Sequence, residues 1–152
     1  MLNSLVQELQ DHASFEKAKH AQRFFKTGKG EYGEGDIFLG LTMPEQRAIS
    51  QKYLGLPLVK IQKLLDSKIH EHRMSAGIIL THKYKKAPEE VFSFYLQNAK
   101  KFNNWDLVDI TCPRIMGQFL FDNPQQKKIS GLVIKDSTNA SSVFYLDSCY
   151  FE

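Results

Sequence analysis

The stretch TMPEQRAISQKYLGLPLVKIQKLL, residues 42–65, decides the fold class because it holds one helix, a break and a second helix. Thr42 and Glu45 have the spacing of a capping box, and Pro44 falls in a first helical turn, where its missing N–H costs nothing. The triplet Gly55-Leu56-Pro57 interrupts the helical period. After it, apolar residues recur at helical spacing: Leu58, Ile61, Leu64 and Leu65. Two consecutive helices joined by a short break are therefore predicted.

The same helical period continues on both sides of this stretch. Six further helices are predicted, beginning at Leu2, after the cap Ser14, at His70, at Pro88, after the cap Asn104 and after Asn123. Before residue 136, no segment alternates with period two between hairpin turns, so the predicted class is all-α. The helix starts recur at a spacing near that of helical repeats, which leaves a curved array of helix pairs and a bundle both open.

Composition limits the class of protein further. With 152 residues, 42% hydrophobic and 24% charged, the chain has the size and balance of one globular domain, which excludes collagenous, mucin-like and strongly disordered chains. No apolar run reaches the roughly 20 residues of a membrane-spanning helix, and residues 1–4 do not begin a secretory signal. Cys112 and Cys149 cannot by themselves form a disulfide framework or a zinc site. We expect a cytoplasmic protein without membrane contact.

Charge divides the chain into two predicted parts. Residues 1–135 contain all 20 basic residues and 14 acidic ones, a formal charge of +6, whereas residues 136–152 contain no basic residue. A basic body permits a polyanionic partner through neutralisation of phosphates, although a solvated Lys-rich surface has the same composition. We therefore expect a helical domain over 1–135 and an atypical C-terminal tail over 136–152, with the character of a frayed tail or a short strand.

Two motifs suggest chemistry but do not fit it. The segment Gly28–Gly33 matches G-x-G-x-x-G, yet a helix precedes it and a loop follows, whereas a dinucleotide site needs a strand before and a helix after. His70 and His72 are two apart on a predicted helix, so their side chains point about 200° apart and cannot share one metal ion. An ordinary polar helix start is the favoured interpretation, and no metal or cofactor is predicted.

The segment after Asn104 carries a stronger candidate. Trp105 and Asp109 are four apart, so they lie on one side of the predicted helix, at the border between its apolar stripe and solvent. Pro113 cannot donate to the carbonyl of residue 109, so the helix is expected to distort beside Asp109. Two interpretations remain on these grounds: a tryptophan at the edge of the core with a solvated acid, or a functional site.

Three blocks of sequence, in order, resemble the AlkD-like DNA alkylation repair proteins. They are Gly33–Gly40 followed by Met43–Arg47, then Ile69–Arg73, then Asn103–Asp109. The resemblance covers about residues 1–135. It implies a curved array of HEAT-like helical repeats whose concave basic face binds duplex DNA. The implied reaction is release of cationic alkylpurines, such as 3-methyladenine and 7-methylguanine, by a glycosylase that needs no cofactor.

The resemblance also implies roles for individual residues. Asp109 matches the family's catalytic aspartate, and Trp105 matches a tryptophan that faces the lesion. Asn104, Arg47 and Arg73 stand in the matching blocks and are expected to bind the lesion or the DNA. A carboxylate suits the reaction because the alkylated base already carries a positive charge, and the sugar's developing cation needs stabilisation.

After about residue 135 the resemblance ends. The family carries a later Trp-x-Arg-Arg-like motif, but this sequence has no Trp after 105 and no Arg after 114. We therefore expect impaired activity, and self-association through the eighth helix or cover of that helix by the tail. The alternative functions are a non-catalytic DNA-binding or damage-sensing module, and a helical scaffold that binds protein.

Overall fold

The computed structural model describes residues 1–128, 134–135 and 143–144, and its architecture is all-α, as predicted. The helices are α1 Leu2–Asp11, α2 Phe15–Phe24, α3 Met43–Gln51, α4 Leu58–Leu65, α5 His70–Tyr84, α6 Pro88–Gln97, α7 Trp105–Cys112 and α8 Gln118–Asp122. A π-helical segment, Pro113–Gly117, joins α7 to α8, and 3₁₀ turns occupy Ala99–Lys101 and Pro124–Lys128. Two short strands, β1 Ile134–Lys135 and β2 Val143–Phe144, pair antiparallel.

The predicted caps at the starts of α2 and α3 are confirmed. The Ser14 hydroxyl accepts a hydrogen bond from the amide of Lys17. The Glu45 carboxylate accepts from the amide of Thr42 at 2.6 Å, and the Thr42 side chain accepts from the amide of Glu45, which together form the capping box. The cap at α7 differs, because Asn104 occupies the N-cap position without a side-chain capping bond and is fully buried.

Helix α5 is the centre of the structure. Its neighbours include α1, α3, α4, α6 and α7. Twelve of its fifteen residues are buried, so it is covered on all sides rather than along one stripe. Gly77 permits the closest of these contacts, because a Cβ at this position would lie 2.8 Å from the Thr111 methyl carbon on α7.

The order of the helix contacts follows the order of the chain. Helices α1, α3, α5 and α7 contact one another in series, while α6 lies between α5 and α8. Stacked helix pairs produce contacts of this kind. The HEAT-like assignment itself stays a prediction.

The C-terminal predictions are tested only in part. The eighth helix was expected to start at Asn123, but Pro124–Lys128 is a 3₁₀ turn and Ile134–Lys135 is a strand. The tail contains a short strand, Val143–Phe144, which was one of its two expected forms. Residues 124–135 were expected either to be covered by the tail or to mediate self-association. Of these, residues 129–133 lie outside the described residues, as does the rest of 136–152.

The loop between α2 and α3 is fastened to the start of α5 by backbone hydrogen bonds. The amide of Ile37 donates to the carbonyl of Lys68 at 3.0 Å, and the amide of His70 donates to the carbonyl of Ile37 at 2.8 Å. At the other edge, the amide of Ser14 donates to the carbonyl of Leu39 at 2.8 Å. The loop is therefore integrated into the body of the fold.

The Glu71 carboxylate completes this attachment. Glu71 is only 1% exposed, and its carboxylate accepts hydrogen bonds from the amides of Leu39 at 2.9 Å, Gly40 at 2.8 Å and Leu41 at 3.4 Å. Gly40 has a φ of +85°, and a Cβ there would lie 2.3 Å from the carbonyl oxygen of Ser14. Only glycine allows the loop to approach α2 this closely.

We expect Glu71→Ala to lower the free energy of unfolding by about 3 kcal/mol, because three loop amides lose their charged acceptor in a buried place. Urea denaturation followed by circular dichroism measures the change. Glu89→Ala is the matched control, since Glu89 occupies the same first-turn position in α6 but is exposed. Equal effects of the two substitutions would show that Glu71 acts only through the helix dipole.

Candidate functional site

The three sequence blocks that carry the resemblance meet at the first turn of α5. The loop brings Asp36 and Phe38 to this point, α5 supplies His70 and Arg73, and the start of α7 supplies Asp106. These residues are far apart in the chain, so the fold rather than local sequence assembles them. The site has two parts: a largely buried group of charged side chains and a group of aromatic rings.

The buried polar part is a chain of alternating charges. The Arg73 guanidinium lies 2.6 Å from the Asp36 carboxylate. His70 Nε2 lies 2.8 Å from the Asp106 carboxylate, at hydrogen-bond distance, while Nδ1 lies 3.9 Å from Asp36. Opposite charges thus alternate from Arg73 to Asp106, which is the condition for burying them together.

This arrangement shifts two pKa values in opposite directions. Burial lowers the pKa of His70, but the hydrogen bond to Asp106 and the nearby Asp36 carboxylate outweigh it, so the pKa lies above its ordinary value. Burial raises the pKa of Asp36, but His70 and Arg73 outweigh it, so that pKa lies below its ordinary value. Both shifts favour the charged forms.

The aromatic part surrounds the ring of Phe25. The imidazole of His70 stacks on Phe38 with ring centres 4.6 Å apart and on Phe25 with centres 5.5 Å apart. On another side, the Trp105 ring lies 5.5 Å from Phe25 and 6.0 Å from Phe24. Trp105 is therefore held against aromatic neighbours although 45% of it is exposed.

Trp105 and Asp109 stand one turn apart on α7, as predicted. Asp109 is exposed, and Trp105 presents nearly half of its surface. The distortion expected at Pro113 takes the form of the π-helical segment that begins there. Segments of this kind are often found at functional sites.

The other predicted site residues are placed differently. Arg47 is exposed on α3, where a ligand can reach it. Arg73 is 7% exposed and paired with Asp36, and Asn104 is fully buried. In this structure the last two side chains do not face solvent, so their expected DNA contact is not supported by their positions.

Two interpretations from the sequence can be compared with the described residues. The histidines were interpreted as polar residues at a helix start, and α5 does begin at His70, although both His70 and His72 are buried, at 2% and 7% exposure. His72 Nδ1 lies 2.9 Å from the Ser67 hydroxyl, away from the His70 pair. In the glycine loop, Glu31 and Glu34 accept hydrogen bonds from the amides of Gly28 and Gly30, so these amides already have anionic partners.

The pairing of His70 with Asp36 and Asp106 was not predicted from the sequence. A signal was present, since each belongs to one of the three matched blocks. Acids in two blocks and a histidine in the third could have suggested a shared network, but no spacing rule connects residues over such separations.

A model of the DNA alkylation repair enzyme family matches residues 5–138. The match spans most of the chain, including the three blocks that form the site. A search of curated proteins finds no match. Among the described helices, none combines the length and apolar character needed to cross a bilayer.

We expect stability to fall as the pH rises above about 6.5, the ordinary pKa of histidine. Because His70 binds its proton more tightly in the folded state, its contribution is complete below that pH and is lost as the pH rises through its raised pKa. Urea denaturation of the parent and of His70→Gln over pH 6–9 measures this, and the variant should lose the decrease.

His20→Gln is the control, because His20 is exposed. Burial lowers the pKa of His72, so its effect lies at pH values below about 6.5 and has the opposite sign. An unchanged alkaline decrease in His70→Gln would contradict the assigned role of His70.

Proposed function

The chain belongs to the DNA alkylation repair enzyme family, and from this premise we propose that it binds duplex DNA in the cytoplasm and hydrolyses the N-glycosidic bond of cationic alkylpurines. The substrates proposed are 3-methyladenine and 7-methylguanine. Asp109 is the proposed catalytic residue and Trp105 the residue that faces the lesion.

One observation carries this proposal. An exposed carboxylate, Asp109, stands one helical turn from Trp105, a half-exposed indole that is fixed by Phe24 and Phe25. A cation is attracted both by the carboxylate and by the face of the indole. The pair thus offers an anionic and aromatic surface to a positively charged nucleotide.

The chemistry proposed needs few protein groups. N-alkylation makes the purine cationic, so the base leaves with the electron pair of the glycosidic bond and becomes neutral. The sugar carbon then carries developing positive charge, which the Asp109 carboxylate stabilises. Water adds its oxygen to that carbon and releases a proton, for which the same carboxylate is a suitable acceptor.

Neighbouring side chains hold Trp105 and Asp109 in position. His70 holds Asp106, the residue that directly follows Trp105, and Phe25 contacts both His70 and Trp105. Precise positioning requires that the reacting side chains are held by neighbours that are themselves fixed by packing and hydrogen bonds. We assign His70 and Asp106 to positioning, since Asp106 is already engaged by the imidazole.

For DNA binding, we expect the logarithm of the association constant to fall linearly with the logarithm of salt concentration. Fluorescence anisotropy with a labelled duplex measures this from low salt upward. Arg47→Ala should reduce the slope by about 0.9 if Arg47 neutralises one phosphate. Absence of binding at low salt would favour the protein-binding scaffold.

For catalysis, we expect Asp109→Asn to reduce release of 7-methylguanine from alkylated duplex DNA by at least about a hundredfold, because it keeps the shape but removes the charge. Duplex binding should persist or strengthen slightly. Chromatography of the released base gives the rate.

Asp122→Asn is the matched control, because Asp122 is an exposed aspartate later in the same helical stretch. Equal release by Asp109→Asn and the parent would overturn the catalytic assignment. Binding without release by the parent itself would favour the non-catalytic module.

A further inference from the structure

The indole of Trp105 is connected to buried rings through one aromatic side chain. Among the described residues, two rings contact the indole: Phe24, with ring centres 6.0 Å apart, and Phe25, with ring centres 5.5 Å apart. Phe24 is 58% exposed, and its other ring partner is Phe25. Phe25 is half-buried and also contacts the buried rings of Phe38 and His70. Within the described part of the chain, every ring contact from the indole to a buried residue therefore passes through Phe25.

The backbone of Phe25 is fixed at the end of α2. Its amide donates to the carbonyl of Ala21 at 2.9 Å in the last turn of the helix. Gly33, in the loop before α3, packs against its carbonyl, since a Cβ on Gly33 would lie 2.7 Å from the Phe25 oxygen. Such a close approach of two backbones requires glycine. The position of Phe25 is thus constrained, and the neighbouring rings determine the orientation of its own ring.

One of the rings that contact Phe25 carries a charge. The His70 imidazole stacks on Phe25 with ring centres 5.5 Å apart and planes 27° apart, and on Phe38 with ring centres 4.6 Å apart and planes 25° apart. Burial lowers the pKa of His70, but Asp106 and Asp36 outweigh burial, so the pKa lies above its ordinary value. A cation within about 6 Å of an aromatic ring centre is attracted by the face of the ring. The charged imidazole therefore holds Phe25 more firmly than a neutral imidazole does.

The charged and titratable groups around His70 come from four elements. They are Asp36 in the loop before α3, Glu71 and Arg73 on α5, Asp106 on α7, and Lys17 and His20 on α2, the last two lining a cavity that His70 also lines. Lys17 and His20 are exposed, so water and salt screen their repulsion of the imidazole charge. The side chains with which α3 lines this cavity, Met43 and Gln46, are uncharged. The acids next to His70 thus determine its charge, and His20 is the second histidine that a test must control.

We propose that Phe25 is a positioning residue for the reaction, because it couples the charge on His70 to the orientation of the Trp105 indole. While the imidazole is charged, Phe25 is held against it, and the indole that contacts Phe25 keeps one orientation beside Asp109. When His70 loses its proton, this attraction weakens and the indole becomes more mobile. The inference rests on the proposed function only for the use made of Trp105, since the coupling itself is a property of the protein without DNA.

The first experiment uses the unaltered protein, whose sequence contains one tryptophan. Time-resolved fluorescence anisotropy separates the fast motion of the Trp105 indole, on a scale of about a nanosecond, from the rotation of the whole protein. The amplitude of the fast motion should grow about twofold as the pH rises from 6 and the proton resonances of His70 titrate, because the cation–π attraction is lost. An amplitude that stays constant or falls while His70 titrates would overturn the inference. His20→Gln should leave the response unchanged, and loss of the response in this variant would overturn it as well.

A double-mutant cycle at pH 6 tests whether Phe25 is the connection. Phe25→Leu and His70→Gln should each increase the amplitude of the fast motion about twofold, and the double variant should show no further increase, because both substitutions break the same contact. Effects that add would show that His70 acts on Trp105 through Asp106 and the backbone of α7, which would overturn the role of Phe25. Phe25→Tyr keeps the ring and should retain the response to pH.

Phe94→Leu is the matched control, because Phe94 is a half-buried phenylalanine on α6. It should leave the motion of Trp105 unchanged. An increase equal to that of Phe25→Leu would indicate general loosening of the core and contradict a specific role of Phe25. Urea denaturation establishes that each variant is folded. If Phe25→Leu or His70→Gln fails to fold, the pH titrations of the unaltered protein and of Phe25→Tyr decide.

Release of 7-methylguanine is measured in parallel under single-turnover conditions. Phe25→Leu should lower the rate at pH 6 at least about fivefold and change the affinity for duplex DNA less than about twofold, as expected for a residue that orients another side chain. Release at the parent's rate by a folded Phe25→Leu protein would overturn the positioning role. A parent that shows the coupling but releases nothing would contradict the proposed function and confirm the coupling. A parent that releases the base but shows no coupling would overturn this inference alone.

Discussion

A carboxylate that is withdrawn from water needs donors in its place, and Glu71 obtains them from the loop before α3. Its position in the first turn of α5 is set by the helix, so its acceptors determine where the amides of Leu39 to Leu41 must lie. That placement brings Phe38 onto His70. It also sets the start of α3, whose cap Thr42 follows directly. The candidate site therefore depends on a bond between a helix and a loop.

The charged side chains next to the candidate site are also stabilised by partners, in their case by side chains of opposite charge. Asp36, Arg73 and His70 are acceptable in the interior because each has a neighbour of opposite sign, and the half-buried Asp106 completes the set. The chain of pairs runs from the loop through α5 to α7, the helix that carries the proposed catalytic pair. Removal of Asp36 leaves the buried Arg73 without its partner, and removal of His70 leaves Asp106 without its partner. The chemistry proposed for Trp105 and Asp109 thus depends on the packing of groups that are assigned no part in the reaction.

The sequence predicts the helices well, because their signals are local. Ser14, Thr42 with Glu45, and Gly55 with Pro57 mark starts and ends within a few residues of the events they control. The resemblance also selects the three blocks that meet in space. The burial of His70 and Arg73 could not be predicted, since a polar helix start is normally solvated and its partners here are distant in sequence. Asn104 misleads for the same reason: its type predicts a capping side chain, whereas tertiary packing buries it without that bond.

The hydrogen bonds of the loop before α3 connect residues that are far apart in the sequence, and this affects folding and local opening. The Leu39 amide and Glu71 are 32 residues apart, and His70 and Asp106 are 36 apart. Closing segments of this length costs entropy that only a nearly complete structure repays. The amides of Leu39 and Gly40 belong to no helix. Their protons nevertheless exchange with solvent only after the hydrogen bonds to Glu71 on α5 break. Hydrogen exchange at these positions should therefore follow the opening of the whole core, and a segment whose composition is that of a surface connection becomes one of the slowest to exchange.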